Sequence, residues 1–171
     1  MDSFICEVDN LSDTKQLGQM LAQHLAEGSV TALIGTLGSG KTFLVQAIAE
    51  ALGVEPGLAS SPTFVLLHEY DGDKPIYHFD AYRLENENEF RQLGSDDYFE
   101  GNGLTFVEWA DKFPMVLPSE YLKIQIEILE DTRRRFVLTA VGQRYEDLLL
   151  QLRQFRDTRV GGEKHRDFGS R

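Results

Sequence analysis

The sequence contains a single cysteine, Cys6, so no internal disulfide can form, and the chain reads as a protein of a reducing compartment. Proline is sparse, five in 171 residues, and no Pro- or Ser-rich linker divides the body. No run approaches the ~18 apolar residues that crossing a bilayer requires. The opening stretch MDSFICEVDNLSD lacks a basic region and a long apolar core, so it does not read as a secretory signal. Positive charge is short as well: 17 Lys and Arg against 28 Asp and Glu leave −11 and a pI near 4.8. Such a surface repels phosphate backbones and argues against a free-standing, non-specific nucleic-acid binder. These absences lead to the expectation of a soluble, cytoplasmic protein with no membrane segment.

What is present is core material. Hydrophobic residues make up 42% and aromatics 11%, enough for one ordinary domain. Phe4 to Val8 suits an opening strand. Ser12 or Asp13 can cap a helix whose apolar positions are Leu17, Met20, Leu21 and Leu25, with Gly28 as its stop. Val30 to Ile34 is a continuous apolar run of the kind buried on both faces of a sheet. A helix over Thr42 to Leu52 follows. Phe64 to Tyr70 and Pro75 to Tyr82 read as a hairpin around Asp71-Gly72-Asp73-Lys74. Further expected elements are a helix over Glu85 to Leu93, strands at Leu104 to Val107, Leu122 to Leu129 and Phe136 to Val141, and a helix from Tyr145 to Phe155. Residues 151–171 carry six Lys/Arg and three Asp/Glu, net +3 against −14 for the rest. The domain is therefore drawn over residues 1–156, with 157–171 as a polar, disordered basic tail.

The strongest local signal is Gly35-Thr36-Leu37-Gly38-Ser39-Gly40-Lys41-Thr42, a complete G-x-x-x-x-G-K-[ST] between a buried strand and a helix. Glycines let successive N–H groups turn inward into an anion nest, and the helix N-terminus adds its positive dipole end. Lys41 is expected on the β- and γ-phosphates and the Thr42 hydroxyl on magnesium. No Asn-Lys-x-Asp stretch of the kind that reads guanine is present, which favours ATP. A magnesium-dependent P-loop enzyme also needs a carboxylate, and two acids follow short apolar strands: Glu108 after Leu104-Thr105-Phe106-Val107, and Asp80 after Ile76-Tyr77-His78-Phe79. His78 itself reads as a structural histidine. Trp109, the only tryptophan, reads equally well as core packing or as a site residue. Ser61-Pro62-Thr63-Phe64 lies where many P-loop proteins keep a γ-phosphate sensor.

In order and spacing, four pieces resemble the bacterial TsaE (YjeE) family, P-loop ATPases of tRNA threonylcarbamoyladenosine biosynthesis. They are Gly35 to Thr42, Ser61-Pro62-Thr63-Phe64, His78-Phe79-Asp80-x-Tyr82-Arg83-Leu84 and Val107-Glu108-Trp109-Ala110. The resemblance covers roughly residues 5 to 142. It implies an α/β fold of P-loop NTPase type, a single mixed sheet flanked by helices, with an ATP and Mg2+ site and weak ATPase activity. Gly35, Gly38, Ser39, Gly40, Lys41, Thr42 and Phe43 would bind nucleotide, Thr42 and Glu108 would hold magnesium, and Lys41 and Asp80 would be catalytic. Ser61 to Phe64 would be a switch loop with Trp109 as its neighbour. Arg134 is the best match to an arginine that reaches the nucleotide, with Arg133 and Arg135 as rivals, and Asn10 to Thr14 would border the base. The implied partners are the TsaB- and TsaD-type proteins of the threonylcarbamoyl transferase complex, with tRNA reached only through them. Two departures stand out. Thr36 replaces a usually acidic residue, which bears on hydrolysis more than on binding, and Phe43 replaces a common second threonine.

Two other classes compete. A small-molecule kinase shares the glycine spacing but needs a mobile, Arg-rich lid, and Arg133-Arg134-Arg135 sits in a hairpin too tight to serve as one. A nucleotide-gated scaffold without significant catalysis is compatible with Thr36.

Overall fold

Period-two and period-3.6 apolar patterns divide the chain as expected at most positions. The computed structural model describes residues 3–163, with side chains to residue 154. Strands are β1 (Ser3–Val8), β2 (Val30–Ile34), β3 (Leu67–Asp71), β4 (Pro75–Asp80), β5 (Leu104–Glu108), β6 (Tyr121–Ile128) and β7 (Arg134–Val141). Helices are α1 (Leu11–His24), α2 (Lys41–Ala51), α3 (Glu87–Gln92), α4 (Ser95–Glu100) and α5 (Gln143–Glu163), with two 3-10 turns at Ala110–Lys112 and Pro114–Val116.

The strands form one mixed seven-stranded sheet in the order β1-β7-β6-β2-β5-β4-β3. Its centre is parallel, β6, β2, β5 and β4, and both flanks are antiparallel. The fold is the P-loop NTPase α/β arrangement, a single mixed sheet flanked by helices. Side chains alternate between two cores. Leu33, Ile76, Phe106, Ile124 and Leu138 join α1, α2 and α5 on one face, while Ala32, Phe79 and Val107 join Phe90 and Phe113 on the other. A glycine lets α1 and α2 touch: a Cβ on Gly18 would lie 2.6 Å from that of Ala47.

Several boundaries differ from the sequence reading. Helix α1 is capped by Asn10, whose side chain accepts from the Asp13 N–H at 3.0 Å, rather than by Ser12 or Asp13. Residues 64–66 do not belong to β3. Leu66 sits at φ 70 with its N–H bonded to the Pro62 carbonyl, a local turn that overrides the β-favouring Phe64 and Val65. Strand β4 stops at Asp80, before Tyr82. Helix α4, between Gly94 and Gly101, was not foreseen. Helix α5 runs to Glu163, into the stretch expected to be a tail, since adding residues to a formed helix costs little. Residues 164–171 lie outside the described residues.

Candidate functional site

The site is assembled at one end of the sheet, where the parallel strands β2, β5 and β4 deliver their C-terminal ends. Because β7 returns antiparallel to β6, its first residue, Arg134, arrives at that same end. A cleft of about 960 Å³ opens there.

The loop from β2 to α2 forms one wall. Gly38 and Gly40 take φ +75 and +107, the left-handed backbone that turns amides toward a ligand, and open space lies where a Cβ would stand on either. Gly38, Ser39, Gly40, Lys41, Thr42 and Phe43 all line the cleft. Gly35 stands behind them. A Cβ there would meet Ser39 Oγ at 2.5 Å and the Ile126 carbonyl at 2.8 Å. Ser39 Oγ is buried and has no hydrogen-bond partner among the described residues. Open amides, an orphaned hydroxyl and a helix N-terminus together suit a polyphosphate.

Lys41 is only 4% exposed. Its ammonium donates to the carbonyls of Gly35 (2.7 Å) and Thr36 (3.1 Å) and lies 3.9 Å from the centroid of the Trp109 ring. Burial pushes its pKa below the ordinary value of 10.5, opposed by the charges of Glu108, Asp80 and Asp111. Trp109 holds this place from a left-handed backbone, φ 59, with its ring tilted against Tyr82 at a centroid distance of 5.0 Å.

The two acids meet. Asp80 and Glu108 are paired in register at the ends of β4 and β5, and both are buried. Glu108 Oε1 accepts from the Thr42 hydroxyl at 2.6 Å and lies 2.8 Å from His78 Nε2. Asp80 accepts from the Thr63 hydroxyl at 2.7 Å and from the Tyr82 N–H at 2.8 Å, and Ser61 Oγ lies 2.6 Å from Thr63 Oγ1. The Ser61–Phe64 segment is therefore latched to the second acid. Phe64, however, points away and is 82% exposed, with Arg83 over its ring.

Among the described residues no group of three or more His, Cys, Asp or Glu converges as a metal cage. The hydroxyl–carboxylate pair of Thr42 and Glu108 is instead the partial ligand set that suits magnesium, which keeps waters and takes substrate phosphate oxygens.

Arg134 reaches the loop, donating through Nε to the Ser39 carbonyl at 3.3 Å, and its Nη1 caps the hairpin carbonyls of Glu130 and Asp131. Its two rivals are committed elsewhere. Arg133 pairs with Glu7 and Asp9, and Arg135 with Glu7 and Glu127. Asn10, Leu11, Ser12 and Thr14 border the cleft, as does Phe136.

A family model described as the threonylcarbamoyl adenosine biosynthesis protein TsaE matches residues 8–136. The chain belongs to the TsaE family. It is 43% identical to the Bacillus subtilis tRNA threonylcarbamoyladenosine biosynthesis protein TsaE over 144 residues, spanning 84% of this chain and 89% of that one. The Treponema pallidum TsaE is 34% identical over 133 residues, 78% of this chain and 98% of its own length. Among solved structures, the crystal structure of Bacillus subtilis YdiB superposes with a TM-score of 0.77 at 35% identity, covering 91% of this chain and 97% of that one. TsaE membership ties the chain to tRNA threonylcarbamoyladenosine biosynthesis. No described helix is long and apolar enough to cross a membrane.

Sequence reading had missed three contributors. Gln46 donates to the Ala59 carbonyl and so ties α2 to the segment before Ser61. Thr132 reaches the cleft from the hairpin turn. His78 engages Glu108, a link that spans thirty positions of sequence and carries no local signal.

Proposed function

We propose that the chain binds ATP with magnesium in this cleft and hydrolyses it slowly, as the ATP-dependent partner of TsaB- and TsaD-type proteins in threonylcarbamoylation of adenosine next to the tRNA anticodon. The contact that carries the reading is the Thr42–Glu108 hydrogen bond beside the buried ammonium of Lys41, at the mouth of the glycine loop. A magnesium ion held by Thr42 and Glu108 would neutralise phosphate charge as the β–γ bond breaks. Lys41 exchanges its loop carbonyls for phosphate oxygens. The glycine-loop amides fix the phosphates, and Arg134 stands at Ser39 to add charge in cis. In this reading Asp80 orients the attacking water or accepts its proton, and its bond to Thr63 would couple that acid to the switch segment.

Slow turnover in isolation follows from Thr36, which leaves the loop without an acid. The kinase reading loses support because Arg133 and Arg135 are tied in ion pairs and cannot act as a lid. Phosphate release by the chain alone and with the complete transferase complex tests the reading. Stimulation by the complex is expected, and an unchanged rate overturns the partner role. The acidic body should grip tRNA poorly at about 150 mM salt, where electrostatic binding needs clustered basic residues. Submicromolar tRNA binding that survives deletion of residues 157–171 would refute indirect tRNA contact.

A further inference from the structure

We infer that His78 is a positioning residue, whose imidazole holds the Glu108 carboxylate in the orientation that magnesium shares with the Thr42 hydroxyl. The inference rests on the magnesium–ATP reading above and adds to it a residue outside the phosphate loop.

Strand alternation puts His78 and Asp80 on the same face of β4; Asp80 lies directly opposite Glu108 on β5, and His78, opposite Phe106, is its diagonal neighbour. His78 is fully buried, and Glu108 is nearly so. A carboxylate in that environment must be held by donors. Two converge on the same oxygen, Thr42 Oγ1 at 2.6 Å and His78 Nε2 at 2.8 Å. Their tasks differ. The Thr42 hydroxyl is the group that has to turn to the metal, so it cannot also be the permanent anchor of the carboxylate. His78 has no second partner to serve: its Nδ1 is buried without a hydrogen bond among the described residues. A carboxylate oxygen offers only lone pairs, so Nε2 is the donor in this contact. Mere filling of the core at this position would need no nitrogen at all. The ring sits on a strand rather than a loop, which gives the carboxylate a rigid reference.

The test compares wild type, His78→Leu, which removes the donor, and His78→Gln, whose amide nitrogen can stand near Nε2. ATP affinity is measured by calorimetry with saturating magnesium and again in EDTA, alongside thermal unfolding. For His78→Leu, affinity with magnesium should fall by about 10- to 100-fold, the range typical of lost outer-shell partners. Affinity in EDTA should be unchanged, and His78→Gln should regain most of the loss. Unchanged affinity of His78→Leu with magnesium overturns the assignment, as does an equal loss in both conditions or a His78→Gln variant no better than His78→Leu. A wild type that binds ATP no better with magnesium than in EDTA overturns the underlying reading, and the inference with it. If His78→Leu does not fold, His78→Asn takes its place, because its shorter amide mimics Nδ1 and cannot reach Glu108. Equal magnesium dependence of the Asn and Gln variants then overturns the assignment.

Discussion

Replacing Lys41 by methionine should move stability and ligand affinity in opposite directions. In the free protein the ammonium is buried against Trp109 and two loop carbonyls, and burial lowers its pKa below 10.5. A folded-state pKa below the unfolded one means that the charged form costs stability at neutral pH, and that the cost disappears as pH rises through the folded value toward 10.5. Methionine keeps most of the chain length and removes the charge. Of the carbonyls it abandons, that of exposed Thr36 is open to water and that of half-buried Gly35 less so. A gain of about 1 kcal/mol at pH 7, or about 2–4 °C in Tm for a chain of this size, is the expected scale. Wild type and variant should converge in stability as the pH approaches 10. ATP affinity should fall, because hydrogen bonds to charged groups contribute about 1.5–3 kcal/mol, or about 10- to 150-fold in Kd. Scanning calorimetry from pH 7 to 10 and calorimetric ATP titration read both quantities. A variant less stable than wild type at pH 7 refutes the burial argument, and a Kd within about threefold of wild type refutes the phosphate role.

Glu108→Gln and Asp80→Asn keep the side-chain shape while removing one charge each. Both should bind ATP and lose about tenfold or more in hydrolysis, and normal rates in both would mean that other carboxylates serve. Glu7 has its carboxyl held below the ordinary value of 4.5 by hydrogen bonds from Arg135 and then Arg133. Its contribution is therefore complete above 4.5 and is lost as pH falls through the lower folded value. The stability difference between wild type and Glu7→Gln should close on acidification and shrink in high salt, and a difference that widens at acid pH contradicts the pairing.

Sequence reached the fold through its two periodicities. Apolar runs marked β2 and β5 as buried strands, and alternation marked β6 and β7 as strands on either side of a charged turn. It reached the phosphate loop because a nest of amides needs glycines at fixed spacing, and Asp80 and Glu108 because an acid ending a buried strand is conspicuous. It could not place Phe64 and Val65, whose β-favouring side chains are overruled by the Pro62–Leu66 turn. It also could not see His78 joined to Glu108, since that contact follows from lateral strand order. The family resemblance favoured Arg134 over Arg133 and Arg135 without a physical reason; that the two rivals are turned to Glu7, Asp9 and Glu127 follows only from strand pairing.

The pairing of β1 with β7 has a consequence for synthesis. Among the described residues the first strand pairs with residues 134–141 alone, and the side chain of Arg153 on α5 reaches back to the Ser3 carbonyl. Contacts of such sequence separation close late, after the loop entropy of almost the whole chain has been overcome. Asn10 and Thr14 follow β1, while Arg134 and Phe136 lie on β7, so the cleft is walled by both ends of the nascent polypeptide. While still emerging from the ribosome, the chain can expose its glycine loop, but the cleft proposed for a nucleotide cannot be walled until the last strand is released. Competence to bind thus arrives with completion of the sheet, and a truncated product ending before residue 134 would lack both the partner of its first strand and one wall of its site.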